Sequence, residues 1–423
     1  MIHTDTLDNG VRVAMDRVEH TQAVSVGLWL VGGSRDERAG EFGFSHFLEH
    51  MLFKGTASRS AADIALAVDR VGGVLNAFTE KEVTCYYCTL PCEHFPLAVD
   101  VLADMVRNSL LDPQEIEKEK NVILNEIRAA EDVPEDVAHE LYLEGIFDTH
   151  GIARRITGLC EEVGAVNRRD LARFYRARYG PRTLLVGIAG NVDRRQALEC
   201  LERSVGGTWG DGDNSNELPV RTPPALRREW EHRRSRFNQL HIYSGYVVPG
   251  AQQPADYYRT LVFSTLAGES MSSRLFQSLR EKHALCYSVL SFRTQLSDVA
   301  MWTVYASTDP ASGLRLLDML ARELGRLRSE PPSPQEVGDA KNHLRGSLIL
   351  AREDMETRMK RLVRQLLMMG KALEYDESLE RLDSVGTQEV SDLVERRIRA
   401  SEFHLLAYGG RSFRRFGAVR YLF

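Results

Sequence analysis

Apolar positions run almost unbroken through "AVSVGLWLVGG", from Ala23 to a Gly-Gly stop, and a run of this length predicts a buried strand. "EVTCYYCTL", from Glu82, is rich in β-branched and aromatic residues and predicts a second strand. The period then changes. "DPQEIEKEKNVILNEIRAAED" opens with the start signals Asp112 and Pro113 and places Ile116, Val122, Ile123 and Ile127 on an amphipathic helix. Late in each half an apolar strand ends in glycine, "TLLVGIAGN" in the first and "FHLLAYGGR" in the second. Between the halves, Gly210 to Phe237 is rich in Gly, Asn, Asp and Pro and then in charge, the composition of a linker. The expected organisation is an N-terminal domain at 1–212, a linker at 213–235 and a homologous C-terminal domain at 236–423.

Both halves follow one order of signals: strands, amphipathic helices, then the glycine-ended strand. "DPQEIEKEKNVILNEI" at Asp112 resembles "SPQEVGDAKNHLRGSL" at Ser333, an offset of 221 residues. Self-similarity at this period indicates duplication of an α/β unit of strands and helices.

Composition supports a globular chain. Of its 423 residues 43% are hydrophobic and 27% charged, and a net charge of −6 from well-mixed groups leaves no basic field for nucleic acid. Six cysteines are too few for a disulfide scaffold. Cys85 and Cys88 form a CxxC, but on a strand an odd separation sends their sulfurs to opposite faces. No apolar run is long enough to span a bilayer, and the N-terminus lacks a signal-peptide pattern, so a soluble, cytoplasmic protein is expected.

"FSHFLEHMLFKGT", Phe44 to Thr56, is where chemistry enters. On a helix His46 and His50 share one face a turn apart, so two imidazole nitrogens can meet one ion, with the Glu49 carboxylate beside them as a base. This is the inverted form of HExxH. A hydrogen-bonded polar face is the alternative. A catalytic zinc needs a third protein ligand, which the motif does not contain. Glu119 and Glu126, seven apart on the amphipathic helix, share a face, although helical glutamates are usually solvated. Moved forward by 221, His46, Glu49, His50 and Glu126 land on Ala267, Ser270, Met271 and Ser347. The polar set belongs to the first half, which favours chemistry over a structural requirement of the repeated unit.

Over nearly its whole length the chain resembles the pitrilysin-type inverted zinc metallopeptidases (M16), in their short branch with the mitochondrial and bacterial processing peptidases. "HFLEHMLFKGT" is similar to the family's HxxEH helix, and "EKEKNVILNEI" to the segment carrying its third ligand, 76 residues after the second histidine. The resemblance thus implies one zinc ion per chain on His46, His50 and Glu126, Glu49 as catalytic base, and Glu119 supporting the site from behind. "GGVLNAFTEKEVTCYY" resembles the edge strand that receives substrate, implying backbone pairing by Asn76, Ala77 and Phe78. "SSRLFQSLREKHALCYSVLSF" resembles the segment whose Arg and Tyr stabilise the oxyanion, implying those roles for Arg280 and Tyr287, with Arg274 structural.

The resemblance also implies the fold class, α+β (α/β), with two duplicated domains of mixed antiparallel sheet packed with helices, forming a half-shell that closes with a second chain around a chamber. A homodimer is the simpler reading because both residue sets are present, and a heterodimeric processing peptidase with this chain as catalytic partner is a further one. The implied activity is zinc-dependent endopeptidase cleavage of unfolded peptides or presequence-like segments. A non-catalytic scaffold subunit is the competing class.

Overall fold

A computed structural model describes residues 1–209, 217–250, 252–398 and 403–410, so residues 210–216 of the expected linker lie outside the described residues. The fold is mixed α/β, with two sheets and many helices. The chain divides into two compact units. The first comprises Met1–Ala129, Arg154–Arg221 and Leu350–Glu374, and the second Ala130–Ala153, Thr222–Ile349 and Tyr375–Phe423. The expected boundaries at 1–212 and 236–423 follow the duplicated halves, whereas each compact unit takes in a segment from the opposite half.

The first sheet contains β1 (Ile2–Thr6), β2 (Arg12–Arg17), β3 (Ala23–Val31), β4 (Val74–Thr79), β5 (Val83–Pro91) and β6 (Leu184–Gly190), in the order β1-β2-β6-β3-β5-β4. Only the β2/β6 pairing is parallel. The second sheet contains β7 (Trp230–Arg233), β8 (Leu240–Val248), β9 (Ser288–Gln295), β10 (Ala300–Thr308) and β11 (Phe403–Gly409), in the order β7-β11-β8-β10-β9. Its β7/β11 pairing is parallel and the rest antiparallel. The run β6-β3-β5-β4 and the run β11-β8-β10-β9 therefore have one topology.

The unbroken apolar strands are explained by burial on both faces. On one face of the first sheet, Val24, Val26, Leu28 and Leu30 of β3 join Val186 and Ile188 of β6 in the main core. On the other, Trp29, Cys85, Tyr87, Leu185 and Ala189 pack against Met359, Leu362 and Val363 of a helix at Met355–Met369. Cys85 and Cys88 fall in these two different cores, with free thiols, as strand alternation predicts.

That helix comes from the second half of the chain. It is fastened by Arg358, which donates to the buried Asp16 carboxylate of β2 at 2.9 Å, and by the Trp29 indole N–H, which donates to Met359 Sδ at 3.2 Å. Removing one member of a buried ion pair typically costs about 3–5 kcal/mol. The reciprocal piece, a helix at Pro134–Phe147 from the first half, packs Tyr142, Ile146 and Phe147 against Tyr243, Met301, Tyr305 and Leu406 in the second unit.

Candidate metal centre

A helix at Phe44–Met51 carries the two histidines, its Phe47, Leu48 and Met51 side chains buried in the main core of the first unit. Its first turn is capped by Glu37, whose carboxylate accepts the backbone N–H groups of Gly43 at 2.8 Å and Ser45 at 2.7 Å. This satisfies donors that a helix start leaves open. Burial pushes the Glu37 carboxyl up to about 7, against the lowering effect of those hydrogen bonds.

The amphipathic helix, at Pro113–Glu131, buries Ile116, Ile123 and Ile127 and brings two glutamates to the histidines. His46 Nε2 lies 3.6 Å from one Glu126 carboxylate oxygen and His50 Nε2 lies 3.7 Å from the other. One ligand atom from each of the three residues falls within 4.8 Å of the others. Nitrogen and oxygen donors bound tetrahedrally to zinc at 2.0–2.1 Å would be about 3.3 Å apart. The donor set, two imidazoles and one carboxylate, therefore fits a zinc-type ion with one position left for another ligand.

Glu119 sits behind the group. Its Oε1 is 2.8 Å from His50 Nδ1 and its Oε2 is 2.7 Å from Lys54 Nζ. The Glu119 contact fixes which His50 nitrogen faces the centre. Burial pulls the His50 imidazole down, but Glu119, with Glu126 and Glu49, outweighs it and holds the group above its ordinary value. Burial likewise raises the Glu119 carboxyl, and the hydrogen bonds from His50 and Lys54 bring it below the usual range. The Glu126 carboxyl is lowered, chiefly by His46 beside it. Glu49, half-buried on the histidine helix, accepts a 2.5 Å hydrogen bond from Thr79 Oγ1.

A family model described as Insulinase (Peptidase family M16) matches residues 12–158, and one described as Peptidase M16 inactive domain matches residues 165–344. The chain belongs to peptidase family M16. An uncharacterized zinc protease of Bacillus subtilis is 34% identical to it over 396 residues, covering 93% of this chain and 95% of that one. Two solved structures share the fold. A peptidase M16 inactive domain from Pseudomonas fluorescens has a TM-score of 0.88 at 16% identity, covering 98% of this chain and 99% of its own. A protease from Helicobacter pylori has a TM-score of 0.88 at 20% identity, with 97% and 99% covered.

In this M16 chain the remaining candidates lie as follows. Asn76, Ala77 and Phe78 belong to β4, an edge strand paired among the described residues with β5 alone. The Ala77 N–H donates to Asn76 Oδ1 at 2.8 Å, and Phe78 packs edge-on to Trp29 with ring centroids 5.3 Å apart. Arg280 and Tyr287 are in the second unit, Arg280 within a π-helical turn at Phe276–Lys282 and Tyr287 just before β9, itself an edge strand. The Arg280 guanidinium lies 5.3 Å over the Tyr287 ring, and Tyr287 is 81% exposed. Arg274 is bound to Glu336 at 2.6 and 2.9 Å and to the Glu330 carbonyl at 2.8 Å, contacts that suit a structural part.

The strand register shifts the expected internal correspondence. β3 starts at 23 and β8 at 240, an offset of 217, so His46, Glu49 and His50 correspond to Phe263, Leu266 and Ala267, all buried in the second unit's core. Lys54, Glu37 and Thr79 escape a reading of the motif alone. Lys54 had a signal, since it follows His50 by four residues.

No helix among the described residues is long and apolar enough to cross a membrane.

Proposed function

We propose that the protein is a zinc-dependent endopeptidase acting on unfolded peptides or presequence-like segments, with His46, His50 and Glu126 holding one zinc ion per chain. The observation that carries this reading is the convergence of His46 Nε2, His50 Nε2 and the Glu126 carboxylate, with the second His50 nitrogen held by Glu119. When bound, zinc supplies Lewis acidity that polarises a peptide carbonyl and makes water a competent nucleophile near neutral pH. Glu49 accepts the proton of the attacking water and returns it to the leaving amine. The free edge of β4 takes an extended substrate by backbone pairing at Asn76, Ala77 and Phe78, which places little demand on substrate sequence. Arg280 and Tyr287 donate to the carbonyl oxygen as it gains charge. In a homodimer these two groups come from the second chain.

The test is Glu49→Gln, with peptide cleavage followed by mass analysis and metal followed by elemental analysis. Retained stoichiometric zinc with abolished cleavage is expected. Full activity in the variant removes Glu49 from its role. An unsubstituted protein that binds no zinc and cuts no peptide supports a non-catalytic scaffold.

A further inference from the structure

Thr79 is the last residue of β4 and sits where a peptide-binding edge meets the base. Alternation along the strand turns Leu75 and Ala77 into the core that also buries the histidine helix, whereas Phe78 joins the core on the opposite face. Thr79 shares the face of Leu75 and Ala77, and its hydroxyl donates to Glu49 Oε2 at 2.5 Å. Across the ladder Thr79 pairs with Thr84, whose hydroxyl oxygen is 3.5 Å from that of Thr79. Among the described residues, Thr79 is the donor that the Glu49 carboxylate has.

We infer that Thr79 is the positioning residue for Glu49, and that filling the free edge of β4 with a peptide strand is what sets the carboxylate in its working orientation. The inference rests on the peptidase reading above and deepens it. A carboxylate can turn about its own bonds, and a charge-assisted hydrogen bond from a fixed donor selects one orientation. The donor is only as fixed as its strand. β4 has a ladder on one side alone, and a strand with one partner is held less firmly than one with two. A substrate that pairs along the open side supplies the second ladder, so substrate residues remote from the cut bond contribute to turnover through Thr79 as well as to affinity. A peptide too short to lie along Val74 to Thr79 binds the centre without ordering the donor. Peptide length then acts on kcat and not on KM alone.

The experiment compares the unsubstituted protein with Thr79→Val and Thr79→Ser on two peptides sharing one scissile sequence, one of about four residues and one of about ten, roughly 3.3 Å per residue in extended form. Zinc content, thermal midpoint and binding of the long peptide to zinc-free protein are measured alongside. The expected result is higher kcat for the long peptide in the unsubstituted protein. Thr79→Val should keep zinc, midpoint and long-peptide Kd, lose about 10-fold or more in kcat on the long peptide, and lose the kcat advantage of length. Thr79→Ser, which keeps the hydroxyl, should restore both.

Equal kcat for the two peptides in the unsubstituted protein overturns the coupling without reference to any variant. A Thr79→Val kcat within about twofold of the unsubstituted value, or a Thr79→Ser kcat as low as that of Thr79→Val, overturns the role of the hydroxyl. If Thr79→Val loses its fold, the Thr79→Ser and peptide-length comparisons decide the matter. Absence of cleavage of both peptides by the unsubstituted protein overturns the peptidase reading itself, an outcome distinct from cleavage that ignores Thr79.

Discussion

His50 is held at Nδ1 by Glu119, which is itself held by Lys54, and its Nε2 faces Glu126 at 3.7 Å. An imidazole oriented in this way presents a lone pair to an ion without first giving up rotational freedom. Glu119→Gln keeps the shape and removes the charge that orients His50. Its expected consequence is a zinc affinity about 10- to 100-fold weaker, read by competition with a chelator of known strength. Unchanged affinity means that Glu119 is there for packing. The histidines and Glu49 were legible in the sequence because a helix converts spacing into geometry, and these residues lie within one short helix. Glu126 needed a resemblance to become a candidate ligand, since nothing in an amphipathic pattern sets it apart from a solvated glutamate. The Thr79 bond to Glu49 was not legible. It depends on how β4 and β5 align and on where the histidine helix lies across them, and neither is a local property of the chain.

Among the elements, the helix at Met355–Met369 shows how an apolar strand pattern can be read correctly without revealing what covers it. Its contacts reach Trp29 and Asp16, more than 300 residues away. The sequence pattern identified the central apolar strands at Ala23, Glu82 and TLLVGIAGN, but it could not say that a helix of the second half would lie on their sheet. Glycine is the trace it left. A Cβ added at Gly187 of β6 would come within 2.4 Å of Val363 Cγ2 on this helix, and one added at Gly245 of β8 would meet the Tyr142 hydroxyl of the helix at Pro134–Phe147. Glycine inside a strand often marks such close approach. Gly187→Ala should therefore destabilise the protein by about 1–3 kcal/mol in a urea titration, with Val363→Ala in the same chain recovering part of the loss. Additive losses in the double variant would show that the two positions do not press on each other.

At the scale of the whole molecule, two buried histidines in the second unit make the fold sensitive to acid, an effect opposed in the first unit by Glu37, whose raised carboxyl favours the fold as pH falls through about 7. His241 accepts or donates at Nδ1 to the Tyr305 hydroxyl at 3.0 Å, while neither ring nitrogen of His404 has a hydrogen-bond partner among the described residues. Burial lowers both imidazoles to about 4. For His404 the nearby Glu231 opposes the effect and Arg233 adds to it. Both groups stay neutral in the fold where an unfolded chain would begin to take up protons near 6.5. Their contribution to stability is thus complete above about pH 6.5 and is lost as pH falls toward 4. Thermal midpoints measured from pH 7.5 down to 4 should drop across that window, and His404→Leu should flatten the slope. An unchanged slope in the variant places the acid sensitivity elsewhere.

The reciprocal helices also bear on how this chain can change over time. Strand order repeats between the two units, β6-β3-β5-β4 and β11-β8-β10-β9, as expected of two copies of one ancestral segment. Yet the first sheet lacks its covering helix without Met355–Met369, and the second lacks its own without Pro134–Phe147. Severed within 213–235 and parted, the first piece would bare Trp29, Leu185 and Ala189 to water and the second would bare Tyr243, Tyr305 and Leu406. The copy with Phe263, Leu266 and Ala267 where the other has His46, Glu49 and His50 is thus not expendable: it supplies the cover beneath the sheet on which the histidine helix rests. A lineage can let the polar set of the first copy drift, but it cannot discard a copy.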